Sequence, residues 1–119
     1  MTDFSSDAQN KLWPTALRLS RNRQELLVQF EGGIQYSLPA EYLRVESPSA
    51  EVRGHTPDQR KIIPRCPDIT ITALEPVGHY AVRIIFSDGH DSGLYAWTYL
   101  QELGENYGEI WAAYLAAVK

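Results

Sequence analysis

The chain has 119 residues, of which 44% are apolar and 22% are charged, and its formal net charge is -4 at pH 7. These values predict one compact globular domain that is large enough to bury a core of its own. The acidic balance argues against a nucleic-acid-binding domain, which normally carries a basic surface. The one cysteine, Cys66, excludes an internal disulfide and a metal site built from several cysteines.

The start of the chain shows no targeting pattern. Residues 1–12 are polar and aperiodic, which predicts a disordered lead-in before a single domain over residues 13–119. No apolar run approaches the roughly 20 residues of a membrane span. We therefore expect a cytoplasmic protein that binds neither membranes nor nucleic acid.

Alternation of apolar and polar residues predicts three strands in the first third of the chain. The alternation covers residues 17–20, 26–30 and 34–38. Turn-forming residues separate the segments, and Asn22 is predicted to take the left-handed conformation of the first turn. The pattern predicts an antiparallel meander, followed from Pro39 by a helix of little more than one turn.

Residues 45–67 form a long polar connection without a period. Four prolines and one glycine punctuate it. A connection of this length inside a small domain is usually functional or mobile. We predict a mobile loop here.

Two more strands and a helix follow this connection. Alternation predicts strands over residues 69–73 and 80–86, and residues 96–103 match a helix that Gly104 is placed to cap. The predicted fold class is therefore α+β. We expect a twisted antiparallel sheet of about five to six strands with C-terminal helices packed on one face.

A second C-terminal helix is predicted after Asn106. Asn106 and Glu109 match the spacing of a capping box. Apolar residues at helical spacing predict a buried face, made of Tyr107, Ile110, Trp111, Tyr114, Leu115 and Val118. The opposite face is small rather than charged and could accept a close partner; it consists of Ala112, Ala113 and Ala116.

The densest group of polar side chains lies in residues 86–95. His90, between Asp88 and Asp91, could be a metal ligand or a general base that a carboxylate orients. The Asp-Gly pair before it is also a strong turn signal, and the spacing favours a structural turn in which Gly89 takes a positive φ and Asp88 accepts backbone N–H bonds. A triad of Ser87 with His90 and Asp91 is disfavoured, because no nucleophile elbow or oxyanion glycine motif accompanies it.

The remaining candidates for chemistry are isolated. Cys66 stands next to Arg65, but a single neighbouring cation is weak support for a reactive thiol, so we expect a non-catalytic cysteine. His55 and His79 are lone polar residues in loops. The sequence holds no Walker loop, no dinucleotide-binding glycine pattern and no paired-histidine motif, so we expect no cofactor.

Three blocks of sequence stand in a specific order and spacing: YLR at 42–44, EPVGHYAV at 75–82 and FSDGHDSGLY at 86–95. Together with the strand meander, they resemble the gamma-butyrobetaine hydroxylase N-terminal-like domain family over about residues 13–105. The resemblance implies a small α+β domain that is sometimes free-standing, as we expect here. In other proteins it is fused to a 2-oxoglutarate oxygenase domain or to a P-loop iron–sulfur carrier ATPase.

Zinc-binding members of this family follow their Leu-Arg pair with cysteines, which bind zinc together with a histidine of the later motif. The resemblance places Ser47, Ser49 and Val52 at the cysteine positions and leaves His90 as the matching ligand. Serine is a poor zinc ligand and valine is none, so we expect no metal. We expect His90 to face Glu46 or the Ser47 and Ser49 hydroxyls instead, with a hydrogen bond in place of the metal. If a metal were bound, Glu46 and Asp91 would join His90, with His55 as a further candidate.

Two functions follow as expectations. The first is a non-catalytic protein-interaction or accessory module, linked through the fusions to iron–sulfur or redox metabolism, with an unknown protein partner. The second is a small metal-binding protein or enzyme that uses His90 with nearby carboxylates. Neither a substrate nor an oligomeric state follows from the sequence. The predicted functional surface comprises Arg44, Glu46, Ser47, Ser49, Asp88, His90, Asp91 and Tyr95.

Overall fold

Two antiparallel sheets form the framework of the protein, whose computed structural model describes residues 14–49, 52 and 60–118. The predicted lead-in, residues 1–12, and the candidate ligand His55 lie outside the described residues. The class is α+β, as predicted.

The first sheet is the predicted meander. It pairs β1 (Pro14–Leu19), β2 (Glu25–Phe30) and β3 (Gln35–Pro39) in that order. Every second residue of β2 points into the core, which buries Leu26, Val28 and Phe30.

The turn between β1 and β2 differs from the prediction in one residue. Arg23, with φ of 62°, takes the left-handed conformation that we expected at Asn22. The Asn22 side chain instead accepts a hydrogen bond from the backbone N–H of Gln24 at 3.1 Å, which is the geometry of an Asx-type turn. The Arg23 guanidinium then reaches the carbonyl of Thr72 at 3.2 Å.

The second sheet corrects the prediction of one continuous sheet. It pairs β4 (Ile71–Val77), β5 (Ala81–Phe86) and β6 (Leu94–Ala96) in that order. The N–H of Ile71 donates to the carbonyl of Arg23 at 2.9 Å. Because β4 thus meets a turn of the first sheet rather than the edge of one of its strands, the six strands divide into two groups of three.

Helices join the two sheets into one core. α1 (Ala40–Val45) follows β3 directly, and α2 (Trp97–Glu105) contacts both β3 and β6, one strand of each sheet. Two fully buried tyrosines connect distant segments through their hydroxyls. Tyr42 donates to the carbonyl of Leu103 at 2.7 Å, and Tyr95 donates to that of Leu43 at 2.5 Å.

Gly104 lies inside α2 and is not the predicted cap. Its φ is not positive, as the capping conformation would require. A Cβ at this position would lie 2.3 Å from the ring of Tyr36, so the glycine allows α2 to approach β3 closely. The close contact explains a glycine in a helix interior, where it otherwise destabilises.

The last helix, α3 (Tyr107–Ala117), also differs from the prediction at its start. Asn106 occupies the cap position, but its side chain donates backwards to the carbonyl of Glu102 at 3.2 Å. The predicted capping box with Glu109 is therefore wrong. The physical reason is that Asn106 follows α2 directly with φ of -112° and ψ of 23°, not the extended backbone of a typical N-cap, and its side chain bonds no N–H of α3.

The predicted buried face of α3 is only partly buried. Tyr114 is buried and Ile110, Trp111 and Val118 are partly buried, whereas Tyr107 and Leu115 are exposed. The periodicity correctly predicts a helix, but the helix covers less of the core than its apolar content suggests.

None of the described helices is long and apolar enough to cross a bilayer.

Candidate functional site

The polar stretch between β5 and β6 is built as a tight turn. The N–H of Gly89 donates to the carbonyl of Phe86 at 2.9 Å. The N–H of Phe86 donates to the carbonyl of His90 at 3.0 Å. Asp88 accepts the N–H of His90 at 3.0 Å, and Gly89 has φ of 90°. The predicted turn, the Asp cap and the positive φ of Gly89 are confirmed.

The turn directs the His90 ring inward to two serines that follow α1. His90 is 9% exposed, and its Nε2 lies 2.9 Å from Ser47 Oγ and 3.4 Å from Ser49 Oγ. The Ser49 N–H donates to Ser47 Oγ at 3.3 Å, which fixes the two serines relative to each other. We call these three residues the serine–histidine cluster. The predicted hydrogen bond between His90 and the serine hydroxyls is confirmed.

The carboxylates near this cluster pair with arginines. Asp88 accepts from Arg44 Nε at 2.9 Å, and buried Glu46 accepts from Arg60 at 2.6 Å. The exposed Asp91 carboxylate lies 3.6 Å from a guanidinium nitrogen of Arg83.

These pairings determine the charge state of Asp88. Burial by itself raises the pKa of this carboxyl. The backbone N–H of His90 and the Arg44 guanidinium outweigh burial, so the pKa of Asp88 lies below its ordinary value. Asp88 is thus an anion that holds the turn to α1.

The structure does not assemble the metal ligands considered from the sequence. Within residues 14–49, 52 and 60–118, no group of three or more His, Cys, Asp or Glu side chains is placed to hold a metal ion. His90, Glu46 and Asp91 therefore do not converge.

The zinc implied by the family does not fit the residues at its site. Ser47 Oγ and Ser49 Oγ lie 3.3 Å apart, both beside His90 Nε2, and Val52 is buried. Two neutral hydroxyls and an alkyl group offer no thiolate to the ion. The hydrogen bonds of the serine–histidine cluster connect the segments instead.

The residues predicted as a functional surface lie mostly in the interior. Ser47 and Tyr95 are fully buried, Glu46 and Ser49 are buried, and Arg44 is half-buried. Only the two aspartates of the set are exposed. The sequence correctly grouped residues that meet in space, but it gave no signal of their burial.

The other candidates for chemistry are also held in structural roles. Burial raises the pKa of the Cys66 thiol to about 11, helped by the charge of Glu41, so little thiolate is present at neutral pH.

The Ser-His-Asp triad that the sequence disfavoured is not built, because Ser87 Oγ accepts the N–H of Thr70 at 3.0 Å and the ring of His90 faces Ser47. His79 is an exposed turn residue whose carbonyl accepts from Trp97.

Two features escaped the sequence analysis. Glu41, buried at the start of α1, accepts hydrogen bonds from Arg65 Nε at 2.6 Å and from the N–H of Cys66 at 2.9 Å, and so anchors the end of the long connection.

The second feature is a groove of about 380 Å³ between α2, α3 and the chain at 60–62. We call it the α2–α3 groove; its lining residues are Glu46, Arg60, Ile62, Tyr99, Glu102, Leu103, Ile110, Ala113, Tyr114 and Ala117.

The long connection is packed where the structure describes it. Arg60 bonds Glu46, and the N–H of Lys61 donates to the carbonyl of Val52 at 2.8 Å. The hydroxyl of Tyr114 donates to the carbonyl of Ile63 at 2.6 Å. These contacts hold the described parts of the connection that the sequence predicts to be mobile; residues 50–51 and 53–59 lie outside the described chain.

Comparisons with known proteins agree with this fold. The sequence pattern of the family described as gamma-butyrobetaine hydroxylase-like, N-terminal, matches residues 17–101. No curated protein matches the chain.

Solved structures provide the second comparison. Two proteins with NMR solution structures are 41% and 42% identical to the chain, with TM-scores of 0.77 and 0.73. They cover 98% and 87% of this chain, over 83% and 82% of their own. A crystal structure from Acidithiobacillus ferrooxidans, of a protein with unknown function in the DUF971 family, is 31% identical with a TM-score of 0.60. The match covers 79% of this chain and 94% of that one.

Proposed function

The chain belongs to the gamma-butyrobetaine hydroxylase-like, N-terminal family, and we propose that it acts as a non-catalytic protein-interaction module, an accessory to another protein in the cytoplasm. The fusions that the family resemblance implies suggest the setting, which is iron–sulfur or redox metabolism. The proposal concerns binding and does not include the hydroxylase reaction for which the family is named.

One observation supports a non-catalytic role: the polar groups best suited to chemistry serve the fold. His90 Nε2 is 2.9 Å from Ser47 Oγ, and Asp88 and Glu46 pair with arginines at 2.9 and 2.6 Å. A catalytic group needs to reach a substrate atom directly or through one water. The ring of His90 is buried, and its Nε2 contacts the hydroxyls of Ser47 and Ser49.

The alternative, a metal-binding protein or enzyme using His90, has no comparable support. It needs carboxylates beside the ring, yet Glu46 turns to Arg60 and Asp91 to Arg83. The binding proposal therefore explains more of the site.

Affinity capture from an extract of the native cells tests the proposal. The full chain is the bait, beside a His90→Gln variant and an Asp91→Asn variant as an exposed control. We expect one protein to be enriched to comparable amounts per folded chain on all three baits, because His90 is interior. Failure of every bait to enrich a protein would contradict the interaction module. Loss of the partner on folded His90→Gln alone would show that the histidine belongs to a binding site.

A further inference from the structure

We propose that the α2–α3 groove docks a basic amphipathic helix of the partner protein. This inference rests on the proposed interaction module and names the class of partner and the surface that receives it. The groove combines an apolar floor, access for a second helix and an exposed carboxylate.

The floor of the groove is apolar and open to a partner. Ala113 and Ala117 are exposed although they line the groove, and Ile62 beside them is 47% exposed. Small side chains let a second helix backbone approach closely, and neighbouring large apolar groups give it surface to bury. Ala113 and Ala117 are four residues apart, so they form one stripe along α3.

The polar groups around the floor are already bonded within the protein. Glu46 pairs with Arg60, the Tyr99 hydroxyl donates to the Glu46 carbonyl at 2.6 Å, and the Tyr114 hydroxyl donates to Ile63. Arg60 Nε has no hydrogen-bond partner, but protein atoms cover it. Small-molecule pockets usually present a few convergent polar groups to the ligand. Here the polar groups bond to the protein, which favours an apolar helix face over a small polar ligand.

The charge around the groove selects a basic partner. Among its described charged lining residues, Glu46 and Arg60 neutralise each other, which leaves the exposed carboxylate of Glu102. The exposed Lys61, between the lining residues Arg60 and Ile62, carries the opposite charge. Residues 97–118 contain three glutamates and no lysine or arginine. Lysine or arginine at the edge of a docked helix would complement this charge, whereas a second copy of the chain would bring the same acidic face against it.

Titration of a defined peptide into the isotopically labelled full chain tests the inference. The probe is a synthetic peptide of about 18 residues, or five helical turns, with leucines on one face and lysines on the other. A matched peptide carries glutamate in place of lysine. We expect the basic peptide to shift backbone resonances of α2, α3 and residues 60–62, and the acidic peptide to leave them in place.

Paired variants locate the contact. Ala113→Arg obstructs the floor, and Ala112→Arg adds the same side chain at an exposed neighbour that does not line the groove. We expect the first to weaken binding about tenfold and the second less than about twofold. Glu102→Lys should weaken binding about threefold, and Glu105→Lys, outside the lining, by less.

Several results would overturn the inference. These are no binding of the basic peptide, equal binding of both peptides, shifts centred elsewhere, or equal affinities of Ala113→Arg and Ala112→Arg. Sedimentation showing a dimer that Ala113→Arg dissociates would assign the groove to a second copy instead. A native partner captured equally well by wild type and Ala113→Arg would refute the groove while the interaction module stands. If no native partner is captured although the peptide binds as expected, the module fails and the groove's selectivity survives.

Discussion

Gly89 has the backbone conformation that most restricts which residue can stand in the β5–β6 turn. Its φ of 90° is strained for a residue with a Cβ, although no atom lies within 4 Å of where that Cβ would be. Gly108, in the first turn of α3, has the same free space and no positive φ. Two identical substitutions therefore separate backbone strain from crowding.

We expect Gly89→Ala to lower the free energy of unfolding by about 1 kcal/mol and Gly108→Ala to raise it by about 0.5 kcal/mol. Urea unfolding of both variants measures the difference. Equal effects of the two substitutions would show that the turn does not need the left-handed conformation.

The ion pair of Asp88 makes a prediction about pH. The folded-state pKa of Asp88 is lowered, so its contribution to stability is present above the unfolded pKa of about 3.9 and is lost as pH falls through the folded pKa. We expect Asp88→Asn to be less stable than wild type at pH 7. The gap should close below about pH 4. Asp91→Asn, which alters an exposed and longer contact, should show a smaller gap; a gap for Asp88→Asn that stays constant to pH 3 would exclude the ion pair as its cause.

Much at this scale was predictable, because turns depend on adjacent residues. The Asp-Gly pair at 88–89 predicts its turn, because an aspartate side chain accepts nearby backbone N–H groups and glycine tolerates a positive φ. The errors arose where a side chain had a competing partner. Arg23, and not Asn22, has the left-handed conformation of the first turn. The side chain of Asn106 donates to the carbonyl of Glu102 in α2 and does not cap α3.

At the scale of the elements, the Tyr114 hydroxyl of α3 helps to anchor the long connection. Tyr114 donates to the carbonyl of Ile63, two residues from the Lys61 N–H that bonds Val52. We expect Tyr114→Phe to speed hydrogen exchange at Lys61 about fivefold, because one net hydrogen bond contributes about 1 kcal/mol. Tyr80→Phe, at a tyrosine that is 58% exposed, is the control and should change nothing there. Equal exchange in wild type and Tyr114→Phe would mean that other contacts hold the connection.

Periodicity predicted which segments form strands and helices better than it predicted which of their faces are buried. The alternating apolar residues of β2 and β5 correctly predicted strands, because successive side chains of a single strand point to its two opposite faces. The helical stripe of Tyr107–Val118 gave α3 but overstated its burial. Apolar spacing reports which face a helix would bury, and whether a neighbour covers that face depends on distant parts of the chain.

At the scale of the whole molecule, the division into two sheets was beyond the sequence pattern. Both meanders were predictable because their partners are consecutive in the chain. The relation of β4 to the first sheet depends on a contact between Arg23 and Ile71, 48 residues apart. Likewise, the sequence and the family resemblance brought His90 and the serines together, but their burial arises only when both sheets and α1 close around them.

The serine–histidine cluster joins the β5–β6 turn to the segment after α1, at the position where the family resemblance implies a zinc ion in other members. A double-mutant cycle on Ser47→Ala and His90→Phe tests this most directly, with urea unfolding of wild type, both single variants and the double variant. We predict that each single variant is destabilised and that the coupling free energy between the two sites is about 1 kcal/mol, because removing one partner leaves the other buried and poorly satisfied. A coupling free energy of zero within error would contradict a hydrogen bond that stands in for the metal.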